Sequence, residues 1–504
     1  MSRRVALATA ALAAAACSSV PVVTTNAPTP PVQPTVMSPA PVGTPAVEFS
    51  TPPALGAPPA LRIPPISTRQ LANGLTIVVV EQHELPLADV ILAIRTGGEA
   101  DPLGHAGTAS LLSAMLTEGT TSRTSLQVAD QEAFLGVHLG AASEWERSTI
   151  SLHTPTAQID SALALFADVA LHASLPVADL ERVRRERLTA LKQLRDEGPA
   201  IANRAIASAI FGAEHPYGRP LSGNERSVAA ISRADLERYL TTYYRPNNAT
   251  LLVVGDVTPD DVARRAEALF GAWSRADIPP LVMPTAARPR TTTVVLIDKP
   301  GAAQSSFRLG SVGVPRSTRD YFAIQVMNTV LGGSFTSRLM QNLRETHGYT
   351  YGAGSGFEMR RTPGPFEARA EVVSAKSDSA LVEFLKELRA IRDTVPAAEL
   401  AKAKRYLQLG LPEEFETTGS IARRLLPLIT YGIPLDFYES AVRNIGAVTQ
   451  ADVQRVARQY VDPEHFTIVI VGDRATIEPR LRVLRVGDIV LRDVRDVLGS
   501  AATP

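Results

Sequence analysis

Arg344 and Tyr351, seven positions apart in a glycine-rich run, are residues whose types could do chemistry. A guanidinium and a phenolic hydroxyl both donate hydrogen bonds, so together they suit a place where negative charge develops on an oxygen. Glycines stand beside them, at Gly332-Gly333, Gly348 and Gly352, where a backbone can come close to a ligand. From the residues alone two plainer readings stay open. Arg344 would pair with an acid on its own helix, and Tyr349 and Tyr351 would be alternating residues of a strand. The chain offers little that could hold a metal. His83, Glu84 and His105 sit in or beside turns containing Pro86 or Gly104, and none has an i,i+4 partner. His138, His153, His172 and His465 are isolated and read as structural.

The elements that must position the pair are legible. Ser317 and Thr318 cap an apolar helix over Asp320–Leu331, which stops at Gly332-Gly333. Ser334–Leu339, a helical Met340–Glu345 and the run His347-Gly348-Tyr349-Thr350-Tyr351-Gly352 follow. This half also has a twin. Ala234-Asp235, Tyr243, Pro246 and Val254-Gly255-Asp256 recur as Ala451-Asp452, Tyr460, Pro463 and Val471-Gly472-Asp473, at a constant offset of 217 residues. Each copy reads as helix, Pro-marked turn and β-branched strand. Pro176–Leu180 likewise matches Pro396–Leu400. Repeats this long predict two similar α+β domains, not a solenoid. The expected boundaries are residues 66–273, a linker over 274–292, residues 293–484, and a loosely specified tail over 485–504.

In the first copy, Gly104–Thr120 (GHAGTASLLSAMLTEGT) reads as an amphipathic core helix entered through a glycine-rich turn. Its frame closely resembles the insulinase/pitrilysin family of zinc peptidases. The resemblance runs through Asn73-Gly74-Leu75, Thr76–Val80, Val90–Thr96, Gly97-Gly98, Gly107 and Glu118-Gly119-Thr120. That family's H-x-x-E-H motif sets two histidine ligands and a general base on one helix, with a third ligand on a later helix. In this register the ligands fall on Ser110 and Ala114, the base on Ser113, and the third ligand on Ala190, or on Leu191 with a slip of one residue. None of these binds zinc as the family's residues do. The second copy keeps the family's other signature, GGSFTSRLMQNLRETHGYTYGAGS, and His215-Pro216-Tyr217-Gly218 is a further hallmark, read here only as a turn.

The resemblance implies α+β architecture, with two homologous sheet-plus-helix domains forming a clamshell around a chamber for an unfolded peptide. It also implies that Arg344 and Tyr351 reach a zinc site across that chamber and stabilise the oxyanion. A chain that keeps them and lacks the metal motif is similar to the non-catalytic member of a bacterial pair. Inactive alone, it would bind no cofactor and lend both residues to a zinc-bearing homologous subunit. A peptide-binding or structural protein without catalysis, and an active zinc peptidase with other ligands, are the alternatives.

The 504 residues, 45% hydrophobic and 20% charged, suffice for several globular cores, and zero formal net charge gives no electrostatic case for nucleic acid. Residues 1–16, with Arg3 and Arg4 before an Ala/Leu run, read as a signal peptide. Ala14-Ala15-Ala16-Cys17-Ser18 resembles a bacterial lipobox. Cys17, the only cysteine, would then carry a lipid anchor, and Ser18 points to the outer membrane, facing the periplasm. The Pro-rich stretch over 17–65 reads as a tether.

Overall fold

Four strands rich in β-branched residues form the centres of two sheets: β2 (Thr76–Glu81), β6 (Ala249–Gly255), β7 (Thr293–Asp298) and β11 (Thr467–Gly472). The computed structural model describes Gly56 and residues 61–498. The signal peptide, Cys17, all but the end of the tether, and residues 499–504 lie outside the described residues. Among the described residues no helix is long and apolar enough to cross a membrane.

In each sheet the central pair is parallel, Thr76 facing Thr250 in one and Thr293 facing Thr467 in the other. An antiparallel meander continues from each pair. In the first sheet it runs through β3 (Leu87–Ile94), β5 (Ser148–Pro155) and β4 (His138–Ser143). In the second it runs through β8 (Gln304–Val312), β10 (Pro365–Val373) and β9 (Thr350–Phe357). The sixth strand differs. β1 (Ile66–Gln70) closes the first sheet as a hairpin turning at Asn73-Gly74, where Gly74 takes φ 93°. β12 (Asp488–Asp493) closes the second from the other end of the chain, parallel to β7. The orders are β1-β2-β6-β3-β5-β4 and β12-β7-β11-β8-β10-β9. The two homologous sheet-plus-helix halves of the expected α+β class are therefore present.

The expected tail over 485–504 is corrected for its described part. Asp488–Asp493 pair with β7 along their whole length, and the short helix Val494–Leu498 buries Leu498. The free edge of β7 supplies the backbone partners, and the strand is mostly exposed, so its apolar pattern is weak.

β6 and β11 are buried at every position, which requires cover on both faces of each sheet. One cover comes from the same half: Leu251 and Val253 pack with Leu112, Phe166 and Leu236. The other comes from the opposite half. Leu252 and Val254 share a core with Ile421, Ala422 and Leu425 of the helix Thr418–Tyr431. Reciprocally, Val469 and Val471 pack on Ile201, Ala202 and Ala205 of the helix Gly198–Phe211. Each half thus lends the other a helix, and the described body is one compact unit.

The repeated aspartates have a physical reason. Ser232 and Asp235 form a capping box on Arg233–Tyr243, and Thr449 and Asp452 form the same box on Gln450–Tyr460. The linker over 274–292 is pinned along its length. Asn247 Nδ2 donates to Ala276 O (2.8 Å), and Arg288 Nη1 donates to Gln459 O (2.9 Å).

Candidate functional site

The segment that carries Arg344 departs from regular helix. Arg338–Met340 begin an α-turn, and Gln341–Thr346 continue as a π-helix, in which each hydrogen-bonded loop holds one more residue. His347 N donates to Asn342 O at 3.1 Å across that wider loop. Asn342 anchors it from inside, its Nδ2 donating to Glu383 (2.8 Å) and Glu387 (2.6 Å) on the helix Ser377–Ala390. Gly348, at φ 61°, reverses the chain into β9.

This brings the sequence-predicted pair together. The Arg344 guanidinium lies over the Tyr351 ring, 5.0 Å from its centroid, and over the Phe335 ring at 4.7 Å. Tyr351 is 86% exposed and Phe335 63% exposed, and among the described residues the Tyr351 hydroxyl has no hydrogen-bond partner. The plainer readings are met only in part. Arg344 Nε faces Glu345 Oε1 at 3.4 Å, a distance that leaves the guanidinium free to donate elsewhere. Tyr349 precedes the strand and is half-buried, stacked on His347 at 4.9 Å, so it does not alternate with Tyr351 on β9. Phe335 is the member of this corner that the sequence reading missed. Its place in the same glycine-rich run, nine residues before Arg344, was the available signal.

The first half presents a different wall. Asp101 accepts from the amides of Gly107 (2.6 Å) and Ala109 (2.8 Å), fixing the start of the helix Thr108–Leu116. On that helix Ser110 and Ala114 are partly accessible, while Ser113 is buried with its hydroxyl donating to Ala109 O (3.0 Å). The helix Val177–Gln193 runs alongside, with Leu191 buried at 5% exposure and Ala190 exposed. One turn before Leu191, Arg187 Nη1 donates to Ser110 Oγ at 2.8 Å. The residues at this wall do not fit zinc: the ligand positions hold a hydroxyl, a methyl and an alkyl chain, and a cation already rests on the hydroxyl. Among the described residues no group of three His, Cys, Asp or Glu side chains stands in metal-binding reach. His83 is exposed between Asp256 (2.8 Å) and Glu81 (3.3 Å), hydrogen bonds that raise its pKa, and His105 faces Asp235 at 3.5 Å.

Wall and corner are held in one frame by a seam that the sequence reading took for a mere turn. Tyr217 is fully buried, and its hydroxyl donates to Glu146, which also accepts from Arg361 N (3.0 and 2.9 Å) in the second half. Burial, reinforced by Glu146, pushes the Tyr217 hydroxyl well above its ordinary pKa. Arg360 inserts its guanidinium between Trp145 and Tyr217, 4.4 Å from each ring. His215 Nδ1 accepts from Tyr217 N (3.0 Å), so Nε2 carries the proton donated to Pro284 O (3.0 Å), and burial lowers the ring's pKa.

Comparison with known proteins follows the same two halves. Residues 76–225 match the family described as insulinase (peptidase family M16), and residues 230–407 match the peptidase M16 inactive domain. An uncharacterized zinc protease of Mycobacterium leprae is 27% identical, covering 82% of this chain and 94% of its own length. A crystal structure of a peptidase M16 inactive domain from Pseudomonas fluorescens superposes with TM-score 0.76 at 26% identity, over 81% of this chain and 98% of that one. A protease from Helicobacter pylori shares the fold, with TM-score 0.76 at 20% identity over 82% and 100% of the two chains.

Proposed function

The chain belongs to the insulinase family of peptidases, and on that premise we propose that it is the non-catalytic subunit of a two-chain peptidase. The observation that carries this reading is selective loss. Four metal-site positions are replaced in the first half, one by a serine already bonded to a guanidinium, while Arg344 and Tyr351 remain together and accessible in the second. Paired with a zinc-bearing H-x-x-E-H homologue, the chain would lend both donors to the partner's zinc site. There they would stabilise the tetrahedral oxyanion of an unfolded peptide substrate. The substrate would bind partly by strand addition at a sheet edge. Cys17 would hold the complex by lipid at the outer membrane, facing the periplasm, and a Cys17→Ala chain recovered in the soluble fraction is the expected check.

The test is reconstitution. The chain is isolated from native membranes with whatever accompanies it stoichiometrically, then each component is assayed alone and mixed. Peptide hydrolysis that appears only on mixing supports the reading. Hydrolysis by this chain alone with stoichiometric zinc overturns it, and so does a homodimer with no zinc-bearing partner. A second reading, peptide binding without catalysis, draws on Glu345, which offsets part of the Arg344 charge. It predicts peptide affinity with no activity gained on mixing.

A further inference from the structure

The first-half wall holds a feature that the partner-subunit reading leaves unused. Two arginines converge on the Ser222 loop, and one of them reaches a position where a metal ligand would stand. Arg187 Nη1 donates to Ser110 Oγ (2.8 Å) and Ser222 O (3.4 Å), and Arg204 donates to Ser222 Oγ (2.7 Å) and Gly223 O (2.9 Å). They come from different helices, Val177–Gln193 and Gly198–Phe211. Gly107 and Gly223 allow the meeting. Both have positive φ, and a Cβ on Gly107 would stand 2.9 Å from Gly223 N, so only glycine lets the Ser222 loop lie this close to the start of the Ser110 helix.

Neither arginine has a carboxylate partner among the described residues. The acids on Arg187's own helix are engaged elsewhere: Asp179 and Glu186 with Arg182, and Glu181 with Arg184. Glu118 also pairs with Arg182, Glu225 with Arg195, and Asp101 serves the two helix amides. Burial lowers the pKa of both guanidiniums, and the charge of Arg187 lowers that of Arg204 further. Two half-buried cations side by side with no counter-ion are costly unless an anion joins them. Donors for it are in place. Both serine hydroxyls accept from an arginine and donate to nothing among the described residues, and neither arginine's Nε makes a bond there.

We infer that the former metal position is an anion site, in which Arg187, Arg204, Ser110 and Ser222 take the carboxylate of a bound peptide. The inference rests on the peptide-binding part of the proposed function. Planar guanidinium forks flanked by hydroxyls match a carboxylate better than a spherical ion. The site would select peptides that end, or carry an acid, at this point of the wall.

Two probes separate the possible failures. The first is N-acetylglycine against its amide, followed by the NMR signals of the arginine Nε–H groups in the full chain. The acid is expected to shift Arg187 and Arg204, the amide to leave them unmoved, and Arg204→Gln to abolish the response. The second is a longer unstructured peptide with a free or an amidated C-terminus. The free acid is expected to bind about tenfold more tightly. That preference should vanish in Ser110→Asp, which supplies an internal counter-ion, and shrink without vanishing in Arg187→Lys, which keeps the charge but loses the planar fork. If the small acid shifts nothing, or both peptides bind equally, the carboxylate site is overturned while peptide binding stands. A response to the small acid without affinity for longer peptides would keep the site and overturn the peptide-binding reading.

Discussion

The two halves share a sheet order, a helix exchange and a capping box, and differ in chemistry. Through the three strands β2, β6 and β3 and their counterparts β7, β11 and β8 the register is constant, whereas β10 pairs with β8 one residue out of step with β5 on β3. Val90 lies opposite Val253, and 217 residues later Phe307 lies opposite Ile470. Carried forward at that offset, the position of Glu99 in the first half is held by Arg316 in the second. Glu99 is buried, accepting from Gly97 N (2.8 Å) while its Oε1 has no partner; Arg316 is buried over the rings of Tyr321 (4.0 Å) and Phe437 (4.8 Å). The approaches to β4 and β9 differ as well. Before β4 a regular helix, Ser125–Leu135, carries Glu132, whose carboxylate caps Leu139 N (2.7 Å). Before β9 the π-turn leaves Arg344 against two exposed rings. The repeat therefore keeps what the backbone requires, while side chains not needed for capping, close approach or packing have diverged between the copies.

The largest expected effect concerns the seam that holds the halves in register. Tyr217→Ala removes a fully buried ring and the hydroxyl on Glu146, and should cost ~4 kcal/mol of stability in denaturant unfolding. Tyr217→Phe should cost only ~1 kcal/mol. Equal losses would mean that the hydrogen bond, not the packing, joins the halves. Next, in a reconstituted pair, Arg344→Ala should lower kcat about 100-fold, whereas Arg187→Gln should leave kcat nearly unchanged. The reverse ranking would place the chemistry at the other wall. Third, burial pushes the Glu99 carboxyl up to about 8, so the fold favours its protonated form. That contribution is complete below the ordinary carboxylate range and is lost as pH rises through about 8. Glu99→Gln should flatten the fall in Tm over this window and stabilise the chain by ~2 kcal/mol at pH 8; a parallel fall in both proteins would exclude Glu99 as its source. The smallest effects should be matched: Ser232→Ala and Thr449→Ala should each cost ~1 kcal/mol. A marked difference would show that the equivalent caps are not energetically equivalent.

The architecture was largely legible because it is written in local rules. The repeated Asp235/Asp452 and Gly255/Gly472 mark caps and close approaches, and the β-branched runs mark central strands. What escaped was set by tertiary neighbours. A helix exchange leaves only an indirect trace, in strands apolar on both faces such as β6 and β11. β12 escaped because it is mostly exposed. The Arg344–Tyr351 pair was named through its motif, but Phe335 and the π-turn were not, since neither alters the run's periodicity. Arg187 stands one helical turn before Leu191, on the same face, and a search that followed geometry beyond ligand types would have reached it.

The helix exchange also has a consequence for topology. A protease that cut the linker would leave two pieces, each still seated in the other like interlaced fingers. Either piece alone would expose an apolar sheet face, Leu252 and Val254 in one case and Val469 and Val471 in the other. Each half is therefore completed by a helix of the other, and cutting the chain would not by itself free either sheet face.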